Sequence, residues 1–211
     1  MMAAAITLMQ LVAFAAIGLL PLLFFRRGSF NLFWWATAIP FFVDPIVLLA
    51  VGLGRAQPLV DPDSPPWHWI SMLSVAPALV CILLLLRTVS SHRSAPALWH
   101  QEDDDPVRIV CSGPYRSIRH PFYSAFILAF LGAAMAAPHA LTLACLVYGV
   151  LTLNLTAARE ERRLLASRHG TTYRGYMTTA GRFFPRLGGA ARCCLLYTSD
   201  AADDSKRVER S

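Results

Sequence analysis

The chain has 211 residues, 55% of them hydrophobic and only 15% charged, with a mean hydropathy of +0.47. That is too apolar for a soluble domain of this size, so the chain reads as an integral membrane protein. Its net charge of +6 belongs to the loops of such a protein rather than to a surface for nucleic acid, and no nucleic-acid partner is expected.

A hydrocarbon core of roughly 30 Å takes about 20 apolar residues to cross. The first such run covers 3–25; it is long and has no basic residue ahead of it, so it reads as a mature span and not as a signal peptide. The second, 31–54, carries Asp44 midway, between Pro40 and Pro45. A carboxylate at that depth is costly and is a functional candidate by default. The prolines offer another reading, a kinked helix whose freed backbone groups partner it. The third run covers 67–86. The fourth and fifth, 122–137 and 141–158, form a hairpin separated only by Pro138, His139 and Ala140. Both are short, and flanking aromatics and arginines are expected to complete the crossing.

The arginines set the orientation. Arg26 and Arg27 follow the first run, Arg87, Arg93, Arg108, Arg116 and Arg119 lie between the third and fourth, and a further cluster occupies 159–192, whereas Arg55 alone falls on the other side. By the positive-inside rule the N-terminus is out and the C-terminus cytosolic, in the inner membrane if the cell is bacterial. The expected fold is therefore all-α and polytopic, about five transmembrane helices with a cytosolic C-terminal cofactor-binding segment. Residues 1–193 read as one domain.

The tail 194–211 opens CLLYTSDAADD, which resembles a translated sequencing-library adapter, and it is read as an assembly scar. Removing its three basic and four acidic residues moves the net charge from +6 to +7. Cys81 and Cys145 fall in apolar runs, with Cys111 and Cys193 outside them, so neither a disulfide framework nor a metal-ligand spacing is expected.

The polar stretch GPYRSIRHPFY, 113–123, runs straight into the fourth apolar segment. His120 lies 19 residues before His139 and Glu160 lies 21 after it. Two antiparallel helices rising 1.5 Å per residue then put the two side chains within roughly 3 Å of the same depth. His120, Glu160 and Glu161 should meet at the cytosolic edge. Pro121 at the first position of its helix leaves the neighbouring amides pointing outward, and the positive helix end, with Arg119 and His120, suits a carboxylate or phosphate. Glu160 and Glu161 suit a ribose diol or a cation. S-adenosylmethionine carries a carboxylate, a ribose and a positive charge together.

GPYRSIRHPFY, then EERRLL, then HGTTYRGYMTTAGRFFP resembles the signature of the isoprenylcysteine carboxyl methyltransferase family and its relatives the phospholipid N-methyltransferases, over about 110–185. The resemblance implies a helical membrane enzyme that takes S-adenosylmethionine from the cytosol and a lipid-like or prenylated acceptor from the bilayer, with no metal. It implies cofactor contacts at Gly113, Tyr115, Arg119, His120, Pro121, Tyr123, Glu160, Glu161, Tyr173 and Tyr176, with Arg182 and Phe183 closing the site. Glu160, Glu161 and Arg182 are the candidates for a catalytic part. Ala125 and His169 depart from the family pattern, which often has Gly and an aromatic there.

Each motif alone has a plainer reading: RHP as an interfacial anchor, Glu160 pairing Arg163 on a solvated helix, the tyrosines as interface aromatics. Their order and matching depth favour a site. Carboxyl methylation of an isoprenylcysteine-like lipid is the leading expectation, since a carboxylate is already ionised. An amine acceptor must first lose a proton, to Glu160, Glu161 or Asp44. Two other classes stay open, a nicotinamide-dependent sterol-type reductase and a non-catalytic membrane protein.

Overall fold

The computed structural model describes residues 2–24, 32–91 and 111–186; residues 25–31, 92–110 and 187–211, with Arg26, Arg27, Arg93, Arg108 and the adapter-like segment, lie outside the described residues. Among the described residues seven α-helices follow in chain order: α1 (Met2–Phe24), α2 (Leu32–Gly52), α3 (Pro65–Leu73), α4 (Val75–Ser90), α5 (Pro121–Ala136), α6 (Ala140–Ala166) and α7 (Gly170–Thr179), with a 3-10 turn at Gly113–Arg116. No strand occurs among the described residues, only one isolated parallel bridge between Ile118 and Gly181.

Among the described residues three stretches are long and apolar enough to cross a membrane, Met2–Leu20, Pro65–Ser90 and Ala140–Ala166, and the shorter stretches Thr37–Gly52 of α2 and Pro121–Ala136 are apolar as well. The third expected span is divided at Ser74 into α3 and α4. Pro77 supplies the cause: it has no N–H to offer the Leu73 carbonyl four residues earlier, and its ring crowds that carbonyl.

α5 packs against every one of α1, α2, α3, α4 and α6. Ala125, Ala129 and Ala133 are fully buried and repeat every fourth residue, so one face of α5 is flat enough for close helix contact. Phe41 of α2 lies edge-on to Phe126, at 5.1 Å and 82° between ring planes, and 4.8 Å from the Phe130 ring. Gln10 of α1 donates to the Ser74 carbonyl at 3.0 Å, where α3 meets α4.

Asp44 is completely buried on a continuous α2, and neither carboxylate oxygen accepts a hydrogen bond from a backbone group freed by the prolines. The expectation of backbone partners is corrected; the Cys145 thiol of α6 is its neighbour instead. Cys111 is disulfide-bonded.

Candidate functional site

The α5–α6 hairpin is built by its cap. His139 Nδ1 accepts from Leu141 N at 3.2 Å, and the Thr142 hydroxyl accepts from His139 N at 3.1 Å, so α6 starts at once and runs antiparallel to α5. At the other end of the pair, His120 Nε2 lies 3.2 Å from Glu161 Oε1 and His120 Nδ1 lies 3.4 Å from Glu160 Oε2. The two sequence segments meet at one level.

Glu161 is 4% exposed and receives three basic side chains. Arg119 reaches Oε1 through Nε and Nη2, each at 3.0 Å, and Arg182 reaches Oε1 through Nε at 3.1 Å and Oε2 through Nη2 at 2.6 Å. His120 is the third. Such charge-assisted, partly bidentate contacts are the strong kind. Glu160 is more open, its side chain 28% exposed, and its Oε1 accepts from the Tyr123 hydroxyl at 2.6 Å. The neighbouring glutamates therefore differ in work: Glu161 fastens the cluster, and Glu160 faces outward with acceptor capacity left.

The segment 181–186 lies across the start of α5 as a strap. Arg119 N donates to Gly181 O at 2.7 Å, His120 N to Arg182 O at 3.1 Å, and Gly181 N to Ser117 O at 2.9 Å, while the Ser124 hydroxyl donates to Phe183 O at 2.7 Å. The expectation that amides beside Pro121 point outward is thus corrected at Arg119 and His120, whose N–H groups hold the strap. Pro121 itself is buried at the first position of α5.

Burial opposes charging His120, but the hydrogen bonds and charges of Glu160 and Glu161 outweigh it and hold its pKa above the ordinary 6.5. The imidazole stacks on the Tyr123 ring at 5.3 Å, and Phe183 lies 6.2 Å away on another side. With His120 protonated, three cations face two carboxylates, a balance of +1 that suits one anionic group.

α7 backs this cluster. Tyr173 and Tyr176 are 3% exposed; Tyr176 donates to the Tyr115 carbonyl at 2.6 Å, and Tyr173 lies against Arg119 and Glu161. The Tyr115 phenol lies near Glu160 and Tyr123. Gly113 is set apart from the charged cluster. Its φ of +57° and its packing on Ser91, just past the end of α4, give it a turn-forming role, because a Cβ there would collide with the Ser91 hydroxyl. Sequence reasoning missed Asn154, whose side-chain oxygen accepts from Arg182 Nη1 at 2.8 Å. The available signal was a carboxamide inside an apolar run, seven residues before Glu161 and so on the same helix face.

Residues 68–172 match the family described as phospholipid methyltransferase. The match begins in α3 and ends in the first turn of α7, so it includes His120, Pro121, Tyr123 and both glutamates but stops before Tyr173, Tyr176 and Arg182. No curated protein and no solved structure matches the chain.

Proposed function

The chain belongs to the phospholipid methyltransferase family, a membrane methyltransferase acting on lipid-like substrates, and from that premise we propose that it uses S-adenosylmethionine, bound at the cluster around His120 and Glu160. The observation that carries the reading is the meeting of His120 with Glu160 and Glu161 from two antiparallel helices, under the strap 181–186. The donor set fits the cofactor: Glu160 has lone pairs for a ribose diol or an ammonium, and the balance of +1 suits its carboxylate.

When bound, the cofactor supplies an activated methyl group on a sulfonium. The protein's part is placement and the exclusion of water. Glu161 keeps Arg119, His120 and Arg182 in fixed positions, Tyr123 holds Glu160, and α7 closes one side with Tyr173 and Tyr176. Glu161, occupied by three cations, is withdrawn as a proton acceptor. An ionised carboxyl needs none, so carboxyl methylation of an isoprenylcysteine-like acceptor is the favoured chemistry. The partly exposed Glu160 supports a second reading, N-methylation of a phospholipid amine with Glu160 taking the ammonium proton. The family match lends no support to a reductase or to a non-catalytic protein.

Calorimetry with S-adenosylhomocysteine in detergent tests this. Loss of a charge-assisted hydrogen bond is worth about 1.5–3 kcal/mol, or roughly ten- to a hundredfold in affinity. His120→Ala and Glu160→Gln should weaken binding by that factor, while Asp63→Asn, an exposed carboxylate in the α2–α3 loop, should leave it unchanged. Equal binding by the wild type and both site variants would remove the pocket assignment.

A further inference from the structure

Arg182 makes one contact outside those that the cofactor reading uses. Its Nε and Nη2 point inward to Glu161, but Nη1 turns the other way, to Asn154 at 2.8 Å, and the side chain is 33% exposed. Asn154 and Glu161 are two turns apart on α6, so the guanidinium bridges from the buried cluster along the helix toward its apolar part. Exposed apolar side chains stand on the same two elements: Leu151 is 58% exposed and Leu155 56% on α6, and Phe184 is 75% exposed on the strap. α6 is one of the helices long and apolar enough to cross the bilayer. A cation and a carboxamide on a lipid-facing surface are costly unless something polar reaches them from that side. Glu161 supplies only part of the compensation, because its single charge is divided among Arg119, His120 and Arg182.

We propose that Arg182 and Asn154 form the acceptor-recognition site, which takes an oxyanion carried by the lipid-like acceptor as it arrives along the outer face of α6 from the bilayer. The proposal rests on the methyltransferase reading for the word acceptor, but the site itself is defined by binding. A planar guanidinium clamped at Nε and Nη2 by Glu161 cannot swing away, so it presents a fixed edge to a carboxylate or a phosphodiester. Asn154 fixes the other end of that edge and offers its own N–H₂ group to the ligand. The apolar residues alongside would take the acyl or prenyl chain. Asn154 is thereby a specificity-determining residue.

The test measures lipid binding and cofactor binding separately, on the full chain in uncharged detergent micelles. Probes are N-acetyl-S-farnesylcysteine for the carboxylate, phosphatidylethanolamine for the phosphodiester, and diacylglycerol as the neutral reference. The wild type should prefer one or both oxyanion lipids over diacylglycerol, and which of them it prefers identifies the source of the anion. Asn154→Leu, on an exposed helix face where folding is not at stake, should lose at least about threefold of that preference, and Arg182→Gln at least about tenfold. S-adenosylhomocysteine affinity should stay within twofold in Asn154→Leu. Unchanged lipid selectivity in both variants would overturn the proposal, as would an equal fall in S-adenosylhomocysteine affinity, which would make the pair part of the cofactor pocket. A wild type that binds the oxyanion lipids selectively but not S-adenosylhomocysteine would remove the methyl-donor reading and leave this site standing.

Discussion

At the scale of single residues, the two glutamates look equivalent in the sequence and are not. The hairpin arithmetic brings both to the depth of His120, but only side-chain packing decides that Glu161 turns inward to Arg119 and Arg182 while Glu160 turns out. That division was not legible from spacing, because adjacent helical residues point about 100° apart and the face of α6 that meets α5 depends on the whole bundle. Glu161→Gln leaves three cations around an uncharged amide and should lower unfolding free energy by about 3–5 kcal/mol, whereas Glu160→Gln should cost under about 1.5 kcal/mol. Denaturant or thermal unfolding in detergent compares them, and equal losses would contradict the assignment. His120 adds a pH dependence. Its folded pKa lies above the unfolded 6.5, so its contacts with Glu160 and Glu161 contribute fully below 6.5 and their contribution is lost as pH rises through the folded value. Wild-type melting temperature should therefore fall on the alkaline side of that window, and His120→Phe should flatten the fall.

At the scale of elements, runs of apolar residues marked the helices well. The run 67–86 reads as one span and lies within the single apolar stretch Pro65–Ser90, where Pro77 breaks the helix at Ser74 without ending the stretch. Beyond the apolar run 141–158, α6 continues through Glu160 and Glu161, as the depth arithmetic required, and on to Ala166, because Arg159, Glu160, Glu161, Arg162 and Arg163 are all strong helix formers. Asp44 failed in the other direction: prolines four residues before it and one after it looked like a source of free backbone groups, but α2 stays helical and the carboxylate accepts from none of them. Gly170 shows how α7 is seated. A Cβ at this position would run into the Leu165 carbonyl oxygen, so the tight turn from α6 to α7 requires glycine. Gly170→Ala should shift α7 with Tyr173 and Tyr176, lower the melting temperature and weaken S-adenosylhomocysteine binding together. Gly18→Ala, where the added methyl meets nothing within 4 Å, should be neutral or stabilising by up to about 1 kcal/mol. If the two substitutions behave alike in thermal melts, the turn is not under the constraint described.

At the scale of the whole molecule, the contacts sort the helix ends into two groups, and that sorting carries the topology. Gly52 at the end of α2 packs on Thr7 near the start of α1, its Cβ position 3.3 Å from the Thr7 hydroxyl, and Leu59 N donates to Pro138 O at the hairpin tip at 2.7 Å. The start of α1, the end of α2, the α2–α3 loop and the α5–α6 turn therefore share one end. At the opposite end the 3-10 turn packs on Ser91 and the end of α4, beside the start of α5, the end of α6 and α7. Arg55 is at the first end, while Arg87, Arg116, Arg119, Arg159, Arg162, Arg163, Arg168, Arg174, Arg182 and Arg186 belong to the second. Read by the positive-inside rule, this sorting supports our proposal that the second end is cytosolic, with the N-terminus outside and five traverses, α2 and α5 being carried between their neighbours. The arrangement predicts that a green fluorescent protein fused after Arg87 or after Arg192 fluoresces, and that alkaline phosphatase is active only when inserted in the loop 58–66. Because three stretches among the described residues, Met2–Leu20, Pro65–Ser90 and Ala140–Ala166, are by themselves long and apolar enough to cross, the decisive comparison is between the fusions after Arg87 and Arg192. A three-span chain that omits α2 and α5 would put positions 87 and 192 on opposite sides of the membrane, since only α6 would then cross between them. Phosphatase activity after Arg192 together with fluorescence after Arg87 would thus reject five traverses in favour of three.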